Sequence, residues 1–185
     1  AWEQAGKLNG NQYIVKTIVT SYMIDKMSAS KGVECLNVLT GFKYIGEIMT
    51  QREGKKTFIV GGEESYGYLV GEHARDKDAV VACCMFAELA AYYKDKGSSL
   101  YNVLLDLYVA YGFYKEKLIS ITKKGKAGAD EIKSMMENYR NQSPEILGGN
   151  KVVMLKDYKN SISKDVNRGV TEKIDLPSSN VLQFF

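Results

Sequence analysis

The chain has 185 residues, of which 45% are hydrophobic and 25% are charged, a composition that is ordinary for a soluble globular protein. Its net charge of +3 gives no argument for a nucleic acid or a membrane as partner, and no apolar run approaches the ~20 residues that a membrane span needs. The N-terminus has neither an apolar signal region nor an initiator Met. We therefore expect a cytoplasmic location and an excised piece of a longer protein, with one domain or one and a part.

Predicted strands and helices alternate in the first part of the chain. β-Branched runs predict the strands, and apolar residues at helical spacing followed by glycine predict the helices. The predicted elements are a strand at 14–20, a helix at 21–30, a strand at 33–39, a helix at 42–52, a strand at 57–60, a helix at 79–96 capped by Asp76 or Asp78, and a helix at 98–111 with a Ser cap. This order predicts an α/β domain over 1–112, with a mostly parallel mixed sheet flanked by helices.

The second part of the chain has a different pattern. Short apolar runs predict strands at 118–122, 151–155 and 181–185, and an amphipathic pattern predicts a helix at 130–139 after a Gly/Lys linker. The last predicted strand runs to the final residue without a polar cap. We expect 113–185 to be a linker and the incomplete start of a C-terminal α+β domain.

The cysteine pattern is not that of a disulfide framework. There are three cysteines, Cys35, Cys83 and Cys84, and two of them are adjacent on a predicted helix. We expect buried, reduced thiols, because free cysteine is among the most buried residue types. One histidine and no C-x-x-C pair give no basis for a zinc site.

The segment from Phe58 to Asp78, FIVGGEESYGYLVGEHARDKD, carries the densest set of chemically useful groups. Its apolar start predicts a strand that ends at the glycine pair 61–62, where we expect a sharp turn and close approach of a ligand. Ligands of α/β proteins bind beyond the carboxyl ends of the strands. Glu63 and Ser65 would then bind sugar hydroxyls, because a carboxylate accepts and a hydroxyl donates or accepts. The alternative is a solvent-facing turn.

Within that segment, GEES-x-G at 62–67 and H-x-R-x-K-D at 73–78 resemble the sugar-binding loop of the α-D-phosphohexomutases, the phosphoglucomutase/phosphomannomutase family. VKTIVTS at 15–21 and LTGFKYIG at 39–46 are similar to two further segments of that family, in the same order. LPSSNVLQFF at 176–185 resembles the strand before the family's phosphate-binding loop. The resemblance implies the third domain and the start of the fourth.

The resemblance also implies roles for individual residues. Lys77 would be catalytic, close to the transferred phosphoryl group, where cations stabilise the developing negative charge. The substrate-binding positions that it implies are Glu63, Ser65, Thr40, Gly41, Lys16, Lys43, His73 and Arg75. For the lysines and His73 the alternative is a surface or structural residue. The chain departs from the family pattern at Ala79, where the family has glycine, and at Phe42, where some relatives have His or Trp.

The implied activity is the interconversion of hexose 1-phosphate and hexose 6-phosphate through a phosphoserine and a hexose 1,6-bisphosphate. The family's phosphoserine loop T-A-S-H-N-P, its Mg²⁺ loop D-G-D-G-D-R and its phosphate loop R-P-S-G-T-E-P are not in this sequence. The resemblance therefore implies no metal ligand here, a small-molecule hexose phosphate as substrate, and the missing domains of the same polypeptide as partners. We expect the chain alone to be inactive.

Three alternatives stay open from the sequence. The family could be right and the substrate different, as in phosphopentomutase or phosphoglucosamine mutase. The chain could instead be a non-catalytic module that binds sugar phosphates, or the charged cluster could be an ordinary surface. The preference for glucose or mannose is not encoded in any segment that we identify, and neither a G-x-S-x-G nor a P-loop motif is present.

Overall fold

The computed structural model describes residues 2–185, which form two compact units, one ending at Glu116 and the other spanning Lys117–Phe185. The predicted division after residue 112 lies just before the observed one. Within the described range, no helix has both the length and the apolar content needed to cross a membrane.

The first unit is built on a four-stranded sheet with the strand order β2-β1-β3-β4. β1 pairs in parallel with both β2 and β3, while β3 pairs with β4 in antiparallel fashion. The elements are β1 (Gln12–Thr17), α1 (Met23–Ser30), β2 (Glu34–Val38), α2 (Phe42–Arg52), β3 (Thr57–Glu63), β4 (Gly67–Val70), α3 (Ala79–Asp95) and α4 (Leu100–Tyr111). The predicted α/β class, with a mostly parallel mixed sheet and helices, is confirmed.

The β3–β4 hairpin differs from the prediction of a strand that ends before a glycine turn. β3 continues through Gly61 and Gly62 to Glu63, and the turn comes later, at 64–66. A Cβ at Gly61 would lie 2.8 Å from Ile45 Cγ2, and one at Gly62 would lie 2.8 Å from the Tyr68 ring. The two glycines therefore serve close packing on the two sides of the strand.

The core of the first unit lies between the sheet and α2, which contacts both β1 and β3. Ile45 on α2 is completely buried, and Tyr13 and Phe58 pack with their ring centres 5.5 Å apart. The cluster consists of Tyr13, Val15, Val38, Phe42, Ile45, Met49, Phe58 and Leu69. This packing holds α2 against β1 and β3 along its length.

Side chains cap α3 at one of its two predicted caps, Asp78, and α4 at Ser99, one residue after the predicted start of that helix. Asp78 accepts a hydrogen bond from the Val81 backbone N–H at 3.0 Å, and Ser99 accepts one from Asn102 at 3.2 Å. These bonds satisfy backbone donors of the first helical turn, which have no partner within the helix.

The prediction of buried cysteines is wrong for Cys83 and Cys84, which are exposed on α3, while Cys35 on β2 is half-buried. α3 has no buried residue, although its sequence is apolar on most faces, so the adjacent thiols stay accessible. Burial is the main cause that raises the pKa of the Cys35 thiol to about 11.

The second unit contains one long helix and two antiparallel sheets. The larger sheet has the order β10-β7-β8-β9. The elements are α5 (Gly125–Asn141), β5 (Ile146–Leu147), β6 (Asn150–Lys151), β7 (Met154–Asp157), β8 (Ile162–Asp165), β9 (Thr171–Lys173) and β10 (Leu182–Phe184). The strand predicted at 118–122 is absent from the described structure, and α5 begins within the predicted linker. The antiparallel sheet fits a partial α+β domain.

Buried ionic groups join the helix of the second unit to its larger sheet. Arg140 on α5 donates from Nε to both carboxylate oxygens of Asp157, each at 3.1 Å, and from Nη2 to Asn180 at 2.8 Å. Asn160 also donates to Asp157. Because the Arg140–Asp157 pair is fully hydrogen-bonded within the unit, we interpret it as a structural contact that stabilises the fold.

Candidate sugar-binding edge

Glu63 is the last residue of β3 and one of few buried acidic residues, with 7% of its surface exposed. Its Oε1 accepts a hydrogen bond of 2.6 Å from the backbone N–H of Gly41. Gly41 precedes α2 and has a φ of 126°, a backbone conformation that favours glycine. The carboxylate is therefore fixed at a helix N-terminus, where negative charge is favoured. Among residues 2–185, no hydrogen bond to Oε2 is formed.

The next residue, Glu64, binds a different strand end. Its Oε2 accepts hydrogen bonds from the hydroxyls of Thr17 at 2.9 Å and Thr20 at 2.8 Å. Burial raises the pKa of the Glu64 carboxyl, but its own backbone N–H and the two threonine hydroxyls outweigh burial and leave the pKa below its ordinary value. Two adjacent carboxylates thus join the end of β3 to the end of β1 and to the start of α2.

Lys77 and Glu63 lie on either side of Gly67, whose lack of a side chain lets them approach each other. A Cβ at Gly67 would lie 3.2 Å from Lys77 Cδ and 3.4 Å from Glu63 Oε2. The Lys77 ammonium is 5.7 Å from the centre of the Phe42 ring and 3.0 Å from Asp76 Oδ1. The lysine and its aspartate partner are both largely exposed, so their ion pair is weak and can exchange for another anion.

Three other predicted substrate contacts lie near Glu63 and Lys77. Ser65 is exposed at the centre of the β3–β4 turn, and Thr40 is exposed immediately before Gly41. Lys43 is exposed on the first turn of α2, with its ammonium 4.8 Å from the centre of the Tyr44 ring. The structure therefore brings these three residues to the same edge of the sheet as Glu63.

Lys16 is placed differently from the other predicted contacts. Its side chain is 3% exposed, and its ammonium lies 3.0 Å from Asp25 Oδ2 and donates to the Thr20 carbonyl at 3.0 Å. The ammonium also lies 4.8 Å from the centre of the Tyr22 ring. These internal partners explain why a lysine is tolerated inside a strand. Contact with a substrate would require their exchange and stays a prediction.

His73 and Arg75 are not brought to Glu63. β4 carries the chain back along β3, so that Glu72 accepts from the Phe58 N–H at the beginning of β3. Arg75 pairs with Glu53 at 3.0 Å, beyond the last residue of α2. The 11-residue α2 is about 16 Å long, and Gly41 lies at its other end. Substrate contact by Arg75 stays a prediction, outside the cluster that the structure forms.

The His73 side chain is half-exposed and pairs with a helix cap. Its Nε2 lies 2.9 Å from Asp78 Oδ2, while Oδ1 of the same carboxylate caps α3. The hydrogen bond with His73, followed by that from Val81, holds the pKa of Asp78 below its ordinary value. These contacts give His73 a structural role at the start of α3, and its substrate contact stays a prediction.

The edge is open rather than enclosed. A cavity of about 220 Å³ in the first unit has Lys16, Glu63 and Glu64 among its lining residues, but neither Ser65 nor Lys77 lines it. In the part of the chain that the structure describes, no group of three His, Cys, Asp or Glu side chains is arranged to hold a metal ion. The exposed donors and acceptors of the edge therefore suit one wall of a larger cleft.

The sequence motifs do not predict the hydrogen bonds of Glu64. Its partners, Thr17 and Thr20, lie 47 and 44 residues earlier in the chain. The signal was present in the T-I-V-T segment, whose hydroxyls sit at a predicted strand end. No local pattern joins that segment to the hairpin turn.

Comparison with known proteins decides the family. A model described as phosphoglucomutase/phosphomannomutase, alpha/beta/alpha domain III, matches residues 1–109. The chain belongs to the phosphoglucomutase/phosphomannomutase family. The resemblance inferred from the sequence motifs is thereby confirmed.

Full-length relatives carry the same family name. The phosphoglucomutase of Staphylococcus saprophyticus is 33% identical over 175 residues, covering 94% of this chain and 32% of the relative. The phosphoglucomutase of Staphylococcus aureus strain MRSA252 is 32% identical over 173 residues, covering 94% of this chain and 31% of the relative. The chain thus spans about a third of the length of these relatives.

Solved structures share the fold. Parafusin (phosphoglucomutase) from Paramecium, in its open form, superposes with a TM-score of 0.55 at 20% identity, covering 93% of this chain and 28% of that one. A putative phosphomannomutase from Thermus thermophilus superposes with a TM-score of 0.50 at 21% identity, covering 66% of this chain and 28% of that one. At these identities the comparison supports the fold alone.

Proposed function

We propose that this chain is the sugar-binding part of a phosphohexomutase that interconverts hexose 1-phosphate and hexose 6-phosphate, with glucose or mannose as the sugar. The single observation that supports this most is the environment of the Glu63 carboxylate. Gly41 holds one of its carboxylate oxygens, and the other forms no hydrogen bond within the described chain. A fixed carboxylate with a spare oxygen is a ready acceptor for a sugar hydroxyl.

Two neighbours of Glu63 complete the proposed contacts. Ser65, exposed in the turn, would donate to or accept from a second hydroxyl. Lys77 would exchange Asp76 for the oxygens of the phosphoryl group, whose negative charge it stabilises during transfer. Thr40, Gly41 and Lys43 form the adjacent side of the same edge.

In the proposed reaction the phosphoserine gives its phosphoryl group to the hexose monophosphate, and the resulting hexose 1,6-bisphosphate turns round so that its other phosphoryl group returns to the dephosphorylated serine. Contacts to ring hydroxyls suit such a step, because they do not depend on which phosphate is being transferred. The family resemblance assigns the phosphoserine and Mg²⁺ to loops that this sequence lacks. Bound there, Mg²⁺ would neutralise phosphoryl charge, and we assign none of its ligands to this chain.

The test uses the complete gene product, sequenced on both sides of this segment. We expect turnover of glucose or mannose 1-phosphate, less of glucosamine 1-phosphate, and least of ribose 1-phosphate. Preference for ribose or glucosamine would instead support phosphopentomutase or phosphoglucosamine mutase. No turnover of any of them, together with tight binding of glucose 1,6-bisphosphate by the 185-residue chain, would contradict the proposal and support a binding module. We expect the purified chain alone to be inactive.

A further inference from the structure

We propose that Glu64 is a positioning residue, which ties the β3–β4 turn to the end of β1 and so holds Ser65 in place for the sugar. This inference rests on the proposed role of Ser65 in substrate binding. Glu64 is the first residue of the turn at 64–66 and directly precedes Ser65 in the chain. A restraint on its side chain therefore acts on the backbone that carries the serine.

Glu64 forms short hydrogen bonds to residues that are far away in the sequence. Thr17 and Thr20 donate to the same carboxylate oxygen at 2.9 and 2.8 Å, and their own hydroxyl oxygens are 2.8 Å apart. Each hydroxyl has one proton, and both protons are donated to the carboxylate oxygen, so the two threonine oxygens lie close together because they share this acceptor. Bonds to a charged acceptor are stronger than neutral ones.

The two threonines are themselves fixed. Thr17 is fully buried at the end of β1. The carbonyl of Thr20 accepts a hydrogen bond from the buried Lys16, whose ammonium lies 3.0 Å from Asp25. Glu64 is therefore attached to groups that are held from the protein interior, and Lys16 supports that attachment.

Glu63 restrains the same turn from the other side. Its carboxylate is bound to the Gly41 backbone before α2, while Glu64 is bound to the loop after β1. The turn also contains Tyr66, a non-glycine residue with a φ of 65°. Such a conformation persists only where the surroundings enforce it, and binding groups held in this way lose less entropy on binding.

The first test measures the attachment itself, and it does not depend on mutase activity. In the complete gene product, Glu64→Ala is expected to speed hydrogen exchange of the peptide covering 62–68 by about tenfold, the loss of roughly 1.4 kcal/mol. Thr20→Val is expected to act in the same direction, and Thr20→Ser to restore the wild-type rate. Glu88→Gln, at an exposed position of α3, is the control. Unchanged exchange in Glu64→Ala would overturn the inference.

The second test measures the consequence for substrate binding. We expect Glu64→Ala to raise KM for the hexose 1-phosphate about fivefold, with kcat within twofold, because one or two hydrogen bonds of about 1 kcal/mol restrain the serine. In a Ser65→Ala background, Glu64→Ala is expected to add nothing further. Multiplied effects in the double variant would overturn the inference while wild-type turnover still supported the proposed function. An inactive wild type would instead contradict the proposed function.

Discussion

The two edges of the sheet in the first unit both carry charged side chains, but they use them in opposite ways. At the amino ends of the parallel strands, Glu34 accepts from both guanidinium nitrogens of Arg52, at 2.6 and 2.9 Å, and also pairs with Lys56. At the carboxyl ends, Glu63 and Glu64 accept only from neutral backbone or hydroxyl donors, and within the described chain neither forms an ion pair.

This difference separates a structural cluster from the proposed binding cluster. The hydrogen bonds from Arg52 and Lys56 lower the pKa of Glu34 to about 2, because its ionised form is fully matched inside the protein. Glu63 keeps an unmatched oxygen at an edge where Ser65 and Lys77 are exposed. Charge density alone therefore favours neither edge as the candidate site, whereas unmatched hydrogen-bonding capacity favours the carboxyl ends of the strands.

The largest effect is expected from Glu63→Gln in the complete gene product. The amide keeps the shape and loses the charge, so we expect kcat/KM for the hexose 1-phosphate to fall about 100-fold, since hydrogen bonds to a charged acceptor contribute about 1.5–3 kcal/mol. Steady-state kinetics measure it, and Glu34→Gln is the matched control from the other edge. Equal losses in the two variants would remove the distinction between the edges.

A second change tests the packing that both edges share. Gly61→Ala places a methyl group 2.8 Å from Ile45 Cγ2 and 3.0 Å from Phe58 Cζ, in the core between β3 and α2. We expect the free energy of unfolding to fall by about 2 kcal/mol, as is typical of overpacking. Urea unfolding followed by circular dichroism measures it, with Glu88→Ala, at an exposed position of α3, as a surface control. A difference below about 0.5 kcal/mol, the size of a neutral surface change, would contradict this packing.

The amino edge has its own pH-dependent signature. The folded pKa of Glu34 is lowered from 4.5 to about 2, so its stabilisation is present above pH 4.5 and is lost as the pH falls toward 2. Because its side chain is 35% exposed, we expect only about 1 kcal/mol. Urea unfolding at pH 7 and pH 2.5 should show Glu34→Gln less stable at pH 7 and nearly equal at pH 2.5. Equal stability of wild type and Glu34→Gln at both pH values would contradict this. Glu47→Gln, at an exposed position of α2, is the control and is expected to change stability at neither pH.

The smallest effect is expected from Arg75→Gln. Its guanidinium binds Glu53 and two backbone carbonyls away from Glu63, so we expect kcat/KM to change less than about threefold, in line with a partly exposed ion pair. The same kinetic assay measures it beside Lys77→Gln, for which a larger loss is expected. A loss of kcat/KM in Arg75→Gln as large as that in Lys77→Gln would contradict this and would support contact between Arg75 and the substrate.

The strands and helices up to residue 52 were predictable because their apolar periodicity and glycine stops are local signals. β4 was not, since four residues after a glycine-rich stretch give no periodicity, and only pairing with β3 makes them a strand. That omission has a consequence for the site. β4 carries the chain back along β3, and the Arg75 side chain then pairs with Glu53 beyond the C-terminal end of α2, whereas Lys77, two residues later in the same motif, lies over Phe42 at the first residue of α2.

The sequence motifs supply the residues of the candidate site, but they do not predict how those residues are arranged. The motif identified Glu63, Ser65 and Lys77, and the structure brings all three to one edge. It did not reveal that Gly41 binds Glu63 through its backbone, because a backbone donor has no sequence signature. The partners of Lys16 and Glu64 were likewise hidden, since they depend on how loops of different strands meet.

The most direct test of the account pairs Glu63 with the sugar itself. Wild type and Glu63→Gln would be assayed with hexose 1-phosphate and with a set of analogues that each lack one ring hydroxyl. We expect one analogue to lose about tenfold or more in kcat/KM with wild type and little with Glu63→Gln, because the two changes remove the same hydrogen bond. Independent, multiplying losses for every analogue would show that Glu63 does not bind a sugar hydroxyl and would contradict the account.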